Sequence, residues 1–304
     1  MHTSKIGIVL SSGGGRGIFA HTGFLLALEE LGVTIAASAG CSAGAIVGGV
    51  AASGSNINDW AQAIAKVSNN NFWKPKSLLQ LLYGIFIKKG KGLTGLSENR
   101  TAIKYCAEHV TAKTFEQCNY PFYALAVNLG TGKKSIFNSG ELAPRIMASA
   151  AMPLFYEPVE IYGEYFTDGA IIDLAPTDAI CCRHNLDVLI VHHVSQHNYT
   201  LKSLQNALRK PWSIVEILHR IIYRSTPWYI SGEPSSIHKC PCGCDVKILV
   251  IEPTLPDLFW PMTKGADAII DSSKKQAVTE MQPILDFITN QPDQLTNYFL
   301  NKAQ

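Results

Sequence analysis

The sequence predicts an α/β protein with a mostly parallel central sheet and helices on both of its faces. A strand-like run, a glycine-rich turn and a helix-like segment follow one another twice between Lys5 and Gly54. Three further strand-like segments follow: Phe122–Val127, Val188–His192 and Val246–Ile251. Strands that alternate with helices are typical of parallel sheets, whose ligands lie at the carboxyl ends of the strands.

The composition is that of a folded protein with a large core. Hydrophobic residues make up 47% of the 304 residues and charged residues 16%, which excludes a mainly disordered chain. A net charge of +2 without a basic stripe argues against a nucleic-acid partner. We predict one domain over residues 1–304, with an insertion or lid segment at 195–245.

The N-terminus and the cysteines predict a cellular location. The first residues lack the features of a secretory signal, and no apolar stretch is long enough to span a bilayer. Eight cysteines in a chain of this size are expected to be reduced thiols. We expect a protein that is cytoplasmic or peripheral to a membrane, and leave open export by a route without an N-terminal signal.

The first strand-turn-helix unit contains a glycine-rich loop. Lys5–Leu10 is the strand, Ser11–Gly17 the loop, and Ile18–Leu31 the helix, which ends at Gly32. Consecutive backbone N–H groups in such a loop can bind an anion. A nucleotide phosphate is one candidate, but the acidic residue expected at the end of the next strand is missing. An oxyanion formed on a neighbouring nucleophile is the other candidate.

The second unit carries a candidate nucleophile. The strand Val33–Ala39 is followed by Gly40-Cys-Ser-Ala-Gly44 and then by the helix-like Ala45–Ala52. This is the Gly-x-Ser-x-Gly pattern in the strand-to-helix setting that it requires, with glycines that allow a sharp turn. Ser42 is the predicted nucleophile, and the N–H of Ala43 is a predicted oxyanion donor at the helix N-terminus.

Three blocks of the sequence resemble the patatin-like phospholipase family, in particular its bacterial and neuropathy-target-esterase-like branch. They are the glycine loop and helix Gly13–Gly32, the turn Gly40–Gly44, and Ala148–Pro158 followed by Asp168-Gly-Ala170. The likeness covers about residues 5–194 and resumes at about 246–253. The sequence departs at Ser11, where a glycine is often found, and at Cys41, where threonine is common.

The resemblance implies a three-layer α/β/α fold and a Ser-Asp dyad without a catalytic histidine. Ser42 would attack an ester carbonyl, Asp168 would act as the base, and no cofactor is expected. The oxyanion hole would be formed by Gly13, Gly14, Gly15, Arg16 and Ala43, with Arg16 ordering the loop or meeting a lipid phosphate.

The implied activity is that of a phospholipase A or lysophospholipase acting on a phospholipid or another acyl lipid. Acyl transfer, neutral-lipid esterase activity and a non-catalytic lipid-binding role are the alternatives. The residues also allow a Ser-Asp-His triad with His192 or His193. Asp173 is a second nearby carboxylate, which we interpret as a loop or cap residue.

A candidate membrane contact lies at Leu78–Ile87, an apolar segment followed by Lys88, Lys89 and Lys91. This pattern suits an anionic lipid surface, and a buried helix with a solvated basic end fits it equally. The pattern predicts an amphipathic helix at Trp212–Tyr223, and the longer segment 212–229 that contains it is a second lid candidate.

Two further groups of residues have a less specific pattern. His238, Cys240, Cys242 and Cys244 could form a structural zinc site, although their alternate spacing is less typical than paired Cys-x-x-Cys. Tyr105, Phe155 and Tyr156 fit core packing better than an acyl pocket.

Overall fold

The computed structural model describes residues 4–67, 69–194, 201–209, 213, 217, 220, 227–256 and 265–302. Its strands are β1 Ile6–Leu10, β2 Ile35–Cys41, β3 Gly95–Ser97, β4 Phe122–Asn128, β5 Lys133–Phe137, β6 Leu154–Tyr156, β7 Val159–Ile161, β8 Glu164–Asp168, β9 Val188–His192, β10 Ser235–Lys239 and β11 Lys247–Ile251.

The described α-helices are α1 Gly14–Glu30, α2 Ala43–Ala52, α3 Ile57–Ala65, α4 Asn69–Phe72, α5 Leu78–Leu82, α6 Arg100–His109, α7 Leu142–Ala150, α8 Leu201–Leu208, α9 Ala266–Met281, α10 Leu285–Asn290 and α11 Gln294–Lys302. A π-helical turn, Tyr83–Ile87, continues α5. Short 3-10 helices lie at Phe115–Gln117, Gly169–Ile171, Thr177–Ala179 and Gln282–Ile284.

The central sheet is mixed, with a parallel centre. Within the described residues it has nine strands in the order β10-β11-β9-β1-β2-β4-β8-β7, and β5 also pairs with β4. The five central strands, β11, β9, β1, β2 and β4, run parallel to one another. The remaining pairings are antiparallel. The predicted α/β class with a mostly parallel sheet is therefore confirmed.

Both faces of the parallel centre are covered. Every residue of β1, β4 and β9 is buried, as is typical of strands enclosed on both sides. On one face, Ile8 and Leu10 belong to the large core made with the long helices. Val9 points the opposite way and packs in a second core with Ile180 and Tyr229. That second face is covered, within the described residues, mainly by short 3-10 helices and loops.

The longest helix pair packs closely because of a glycine. A Cβ placed on Gly23 of α1 would lie 2.2 Å from the Ile270 carbonyl oxygen of α9. Only glycine permits this approach. The Ser273 hydroxyl of α9 also donates to the Ala20 carbonyl, at 2.8 Å.

The observed elements differ from the predicted ones at two helices. Helix α1 begins at Gly14 rather than after Gly17, because the glycine-rich loop itself forms the first helical turn. The sequence pattern of residues 264–288 predicts one helix, whereas the structure has α9, a 3-10 turn and α10 there. Pro283 lies at the start of that turn and lacks the N–H that a continuous helix needs.

The segment predicted as an insertion or lid, 195–245, is described in part. Its last section forms β10, which pairs antiparallel with β11 and places that section at the edge of the central sheet. Most of the predicted helix Trp212–Tyr223 lies outside the described residues. The assignment of this segment as a lid stays a prediction.

Candidate active site

Ser42 stands on a strained turn between β2 and α2. Its φ is 53° and its ψ −118°, a region that residues with a side chain rarely adopt. A Cβ on Gly40 would lie 2.3 Å from the Gly44 carbonyl oxygen, and one on Gly44 would lie 2.1 Å from the Leu10 carbonyl oxygen. Both glycines are therefore required by close backbone packing.

The hydroxyl of Ser42 donates a hydrogen bond to a carboxylate. Its Oγ lies 2.7 Å from Oδ2 of Asp168, and the two residues are 4% and 0% exposed. Burial raises the pKa of Asp168 to about 7, although hydrogen bonds from the Ala170 N–H and the Ser42 hydroxyl oppose the shift. The carboxylate is thus poised to exchange a proton near neutral pH.

Strand β4 sets the distance between Ser42 and Asp168. Cys41, just before Ser42, is paired with Leu125 of β4. On the other side of β4, Ala126 is paired with Asp168. A Cβ on Gly169 would lie 2.4 Å from the Leu125 carbonyl oxygen, so glycine lets the chain turn against β4. The Asp168 N–H donates to the Ala151 carbonyl, at 3.1 Å.

A residue that the sequence did not single out holds the turn. The backbone N–H of Ser42 donates to Oγ of Ser149 in α7, at 3.0 Å, and Ser149 is fully buried. Ser149 lies in the block Ala148–Pro158 that carries the family resemblance. Its contact with Ser42 could not be predicted from spacing, because the two residues are 107 positions apart.

The glycine loop forms the N-terminal turn of α1 beside the nucleophile turn. The first helical hydrogen bond runs from the Gly17 N–H to the Gly13 carbonyl, at 2.8 Å. The N–H groups of Gly14 and Gly15 precede this bond, at the positive end of the helix. A Cβ on Gly17 would lie 3.0 Å from Cβ of Ala43, so the first turns of α1 and α2 are in contact.

The remaining predicted loop residue, Arg16, lies in the same turn of α1 and is partly buried. The structure thus brings Gly13, Gly14, Gly15, Arg16 and Ala43 to two adjoining helix N-termini. This arrangement favours an anion formed at Ser42 over a nucleotide phosphate.

Two buried histidines anchor the residue that begins the glycine loop. His21 Nε2 lies 2.7 Å from the Ser11 carbonyl oxygen, to which it donates. Its Nδ1 must then accept a hydrogen bond from the Nδ1–H of His192, with the two nitrogens 2.8 Å apart. Burial lowers the pKa of His21 to about 3, so that this arrangement uses neutral rings. Val194 also donates its N–H to the Ser11 hydroxyl, at 2.9 Å.

The histidines considered for a triad have other partners. The ring of His192 stacks on Phe24 with centroids 4.3 Å apart. His193 Nδ1 lies 3.2 Å from the hydroxyl of Tyr229. Asp173 accepts a hydrogen bond from Lys134 Nζ, at 2.7 Å. In the part of the chain that the structure describes, the partner of the Ser42 hydroxyl is Asp168.

The aromatic residues considered for an acyl pocket have packing roles. Tyr105 is buried between the rings of Trp60 and Phe72. The hydroxyl of Tyr156 donates to the Phe72 carbonyl, at 2.9 Å, and Phe155 packs against Trp73.

The predicted zinc ligand set is changed by the structure. His238 Nε2 lies 2.9 Å from Oγ of Ser236, and its ring packs on Trp228. The cysteines that cluster are Cys181, Cys182, Cys240 and Cys242. Cys244 lies beside this group, and its thiol faces the Cys181 carbonyl at 3.9 Å.

The apolar segment before the lysines is exposed, and not a buried helix. Leu79, Phe86 and Ile87 are 79%, 72% and 67% exposed, and none of the residues of α5 is buried. None of the described helices is both long and apolar enough to cross a membrane.

Fold and site together define a class of α/β proteins that carry a serine on a strand-to-helix turn beside a glycine-rich helix N-terminus. The model of the patatin-like phospholipase family matches residues 8–180, which is more than half of the chain. The chain therefore belongs to the patatin-like phospholipase family, as the three sequence blocks predicted.

Curated proteins are similar to part of the chain. An uncharacterised NTE family protein of Mycobacterium tuberculosis is 32% identical over 174 residues, which cover 57% of this chain and 44% of the relative. Lysophospholipase NTE1 of Cryptococcus neoformans var. neoformans is 28% identical over 188 residues, 62% of this chain and 11% of that protein. The chain thus spans less than half of the length of either relative.

A solved structure shares the fold. Human GIVD cytosolic phospholipase A2 has a TM-score of 0.51 and 11% sequence identity, with 94% of this chain and 62% of that chain covered.

Proposed function

We propose that the chain is a serine lipid acyl hydrolase, a phospholipase A or lysophospholipase, that uses Ser42 and Asp168 as a catalytic dyad. The observation that carries the proposal is the 2.7 Å hydrogen bond from the Ser42 hydroxyl to the buried Asp168 carboxylate. Ser42 lies on a nucleophile turn, and the chain belongs to the patatin-like phospholipase family.

In the proposed reaction, ionised Asp168 accepts the Ser42 proton as Oγ attacks the carbonyl carbon of the acyl chain. The same proton then passes to the oxygen of the leaving alcohol, and an acyl-enzyme remains on Ser42. A water molecule repeats the sequence on the acyl-enzyme and releases the fatty acid. No other proton carrier is needed.

The oxyanion formed at each step would be stabilised by the glycine loop. The N–H groups of Gly14 and Gly15, at the start of α1, and of Ala43, at the start of α2, are the proposed donors. One well-aimed donor of this kind is worth about 3 kcal/mol in the transition state. Gly13 would keep the turn open, since a Cβ there would lie 2.6 Å from Cα of Gly17, and Arg16 would order the loop.

We further propose that Leu78–Ile87 brings the enzyme to its substrate at a membrane surface. The segment exposes large apolar side chains next to Lys88, Lys89 and Lys91. Exposed apolar residues bordered by lysines complement the acyl boundary and the anionic headgroups of a bilayer. The partner is a lipid surface containing anionic phospholipid, and the contact is peripheral.

The test measures fatty-acid release from diacyl and lysophospholipids by wild type, Ser42→Ala and Asp168→Asn. Removing either member of a nucleophile-base pair is expected to lower turnover on the order of 1,000-fold or more. Asp173→Asn is the matched control, because it neutralises a nearby carboxylate that pairs with Lys134; it should keep most of the activity. Near wild-type turnover in Ser42→Ala or Asp168→Asn contradicts the dyad.

Two further readouts separate the alternatives. Covalent labelling of Ser42 by a fluorophosphonate, without lipid hydrolysis, indicates an enzyme that awaits an activator. Absence of both labelling and hydrolysis favours a non-catalytic lipid-binding role. Addition of an acceptor alcohol or lysolipid measures acyl transfer, and a triacylglycerol substrate measures neutral-lipid esterase activity.

A further inference from the structure

A group of four cysteine thiols lies at the surface, on two segments that are distant in sequence. Cys181 and Cys182 follow the 3-10 helix Thr177–Ala179, and Cys240 and Cys242 lie in the turn between β10 and β11. Their four sulfur atoms all lie within 4.8 Å of one another. None of the four is in a disulfide.

The spacing of the sulfur atoms suits a tetrahedral metal ion. Zinc bonds thiolates at about 2.3 Å, which places sulfur atoms about 3.8 Å apart in a tetrahedron. The observed separations include 2.7 Å between Cys182 and Cys242, 3.0 Å between Cys240 and Cys242, and 3.5 Å between Cys181 and Cys182. These three separations are shorter than the tetrahedral edge, and all the others are at most 4.8 Å, so that each sulfur–sulfur distance is within about 1 Å of the value that a zinc ion requires.

The chemistry of the donors favours zinc over hard cations. Four thiols form a soft ligand set that selects zinc rather than magnesium or calcium. Cys181 and Cys240 are buried, whereas Cys182 and Cys242 are exposed and leave a path for an ion.

We propose that Cys181, Cys182, Cys240 and Cys242 bind one Zn²⁺ ion in a structural site. Each ligand that arrives as a thiol releases its proton when the sulfur bonds to the metal, so that no oxidant or reductant takes part. His238 and Cys244 lie outside this set.

The ion would link two of the segments that cover the second face of the sheet. Cys181 and Cys240 pack in the same apolar cluster as Ile180 and Tyr229. In the described residues this cover consists mainly of short helices and loops. The segment that carries Cys181 also begins at the turn after Asp168. A metal link would therefore hold the chain that follows the active-site carboxylate.

The first experiment measures metal in the wild-type protein. The full chain is expressed with added zinc, purified in a thiol reductant and analysed by mass spectrometry of the elements; about one zinc per chain is expected. Exchange for Co²⁺ should produce the thiolate charge-transfer absorption and visible bands of a tetrahedral site. Folded protein that retains no zinc and shows no cobalt bands overturns the proposal, as does a disulfide between these cysteines in freshly reduced protein.

The second experiment assigns the ligands. Cys182→Ser and Cys242→Ser change exposed thiols and should each reduce zinc content at least several-fold and lower the melting temperature. Cys118→Ser, outside the cluster, and Cys244→Ser, beside it, are matched controls that should keep one zinc per chain. Zinc retained in Cys182→Ser and Cys242→Ser but lost in Cys244→Ser overturns the proposed ligand set. None of these readouts depends on lipid hydrolysis.

Discussion

At the scale of single residues, the environment of Asp168 links activity to pH. Its carboxylate is fully buried, and burial raises its pKa to about 7. Only the ionised form can accept the Ser42 proton. In the proposed mechanism the site would therefore operate close to the pH at which its base is half ionised, where enough of the base is ionised and the base is still strong.

We predict that kcat/KM falls as the pH decreases through about 7 and reaches a plateau above it. Below the pKa the loss should approach about tenfold per pH unit, because one proton removes the base. Hydrolysis of a neutral, soluble p-nitrophenyl ester between pH 5 and 9 measures this without a titrating substrate. An activity that stays constant from pH 5 to 8 contradicts the role of Asp168 as base.

Ser149 gives a second prediction at this scale. Ser149→Ala removes the acceptor for the buried Ser42 N–H, and an unpaired buried donor costs about 1–3 kcal/mol. We expect kcat to fall about 10-fold with little change in KM, because the loss of this hydrogen bond displaces the nucleophile turn and does not remove a contact with the substrate. Ser149→Thr keeps a hydroxyl and should restore part of the rate.

The rate of fluorophosphonate labelling distinguishes this positioning role from loss of fold. Ser149→Ala should label slowly while its melting temperature drops by only a few degrees. A variant that labels at the wild-type rate shows that the contact does not hold the nucleophile.

At the scale of elements, the parallel centre of the sheet was predictable because each of its strands has a local signal. β1, β2, β4, β9 and β11 are apolar runs next to glycine turns or helices. The antiparallel extension was not predicted. Its strands β5, β7 and β8 are short and partly exposed. Their positions are set by pairing, of β5 and β8 with β4 and of β7 with β8, so that their sequence pattern alone carries little information.

The exposed segment Leu78–Ile87 gives the prediction for an element. Phe86→Ser with Ile87→Ser should reduce binding to vesicles of phosphatidylcholine and phosphatidylserine by at least 10-fold, because two large apolar side chains no longer enter the bilayer. Hydrolysis of a soluble ester should not change, since the hydrogen-bond partners of Ser42 and Asp168 in the described structure lie outside the segment.

Leu129→Ser is the matched control, an exposed leucine in the turn after β4. It should leave vesicle binding unchanged. Raising the salt concentration or omitting phosphatidylserine should weaken binding of wild type, because Lys88, Lys89 and Lys91 act by charge. If the double variant binds vesicles as wild type does, the membrane surface lies elsewhere.

At the scale of the whole molecule, buried histidines determine how the fold responds to acid. Burial lowers the pKa of His21 to about 3 and of His193 to about 4, and lowers that of His192 well below its ordinary value. Each ring binds its proton more readily in the unfolded chain, where the pKa is about 6.5. Their contribution to stability is full above that pH and is lost as the pH falls toward the folded values. Asp168 has the opposite dependence, since its folded pKa is raised.

We predict that the free energy of unfolding decreases as the pH is lowered from about 6.5 to 4.5, because three histidines outweigh one carboxylate. Urea unfolding at several pH values measures this slope. The His193→Gln side chain can still form a hydrogen bond with Tyr229. In this variant the slope of the free energy of unfolding against pH should be smaller by the contribution of about one bound proton. A slope that is unchanged in His193→Gln shows that this ring does not contribute.

The site was predictable where its parts form continuous motifs, as in Gly13–Gly17, Gly40–Gly44 and Asp168-Gly169. Contacts between distant segments were not. The His21–His192 pair joins residues 171 positions apart, and Cys182 meets Cys242 across 60. Sequence proximity suggested His238 as a zinc ligand, but its bond to Ser236 and packing on Trp228 depend on the folded strand β10.

The position of β4 between the two halves of the site also has a consequence for how the protein assembles. Ser42 belongs to a local strand-turn-helix unit, whereas Asp168, 126 residues later, reaches it only when β8 has paired with β4. Contacts between distant segments form late in folding because they require the closure of long loops. A refolding chain would then acquire its secondary structure before its serine becomes reactive. The moment at which Ser42 becomes reactive during refolding would therefore report when the pairing of β8 with β4 is complete.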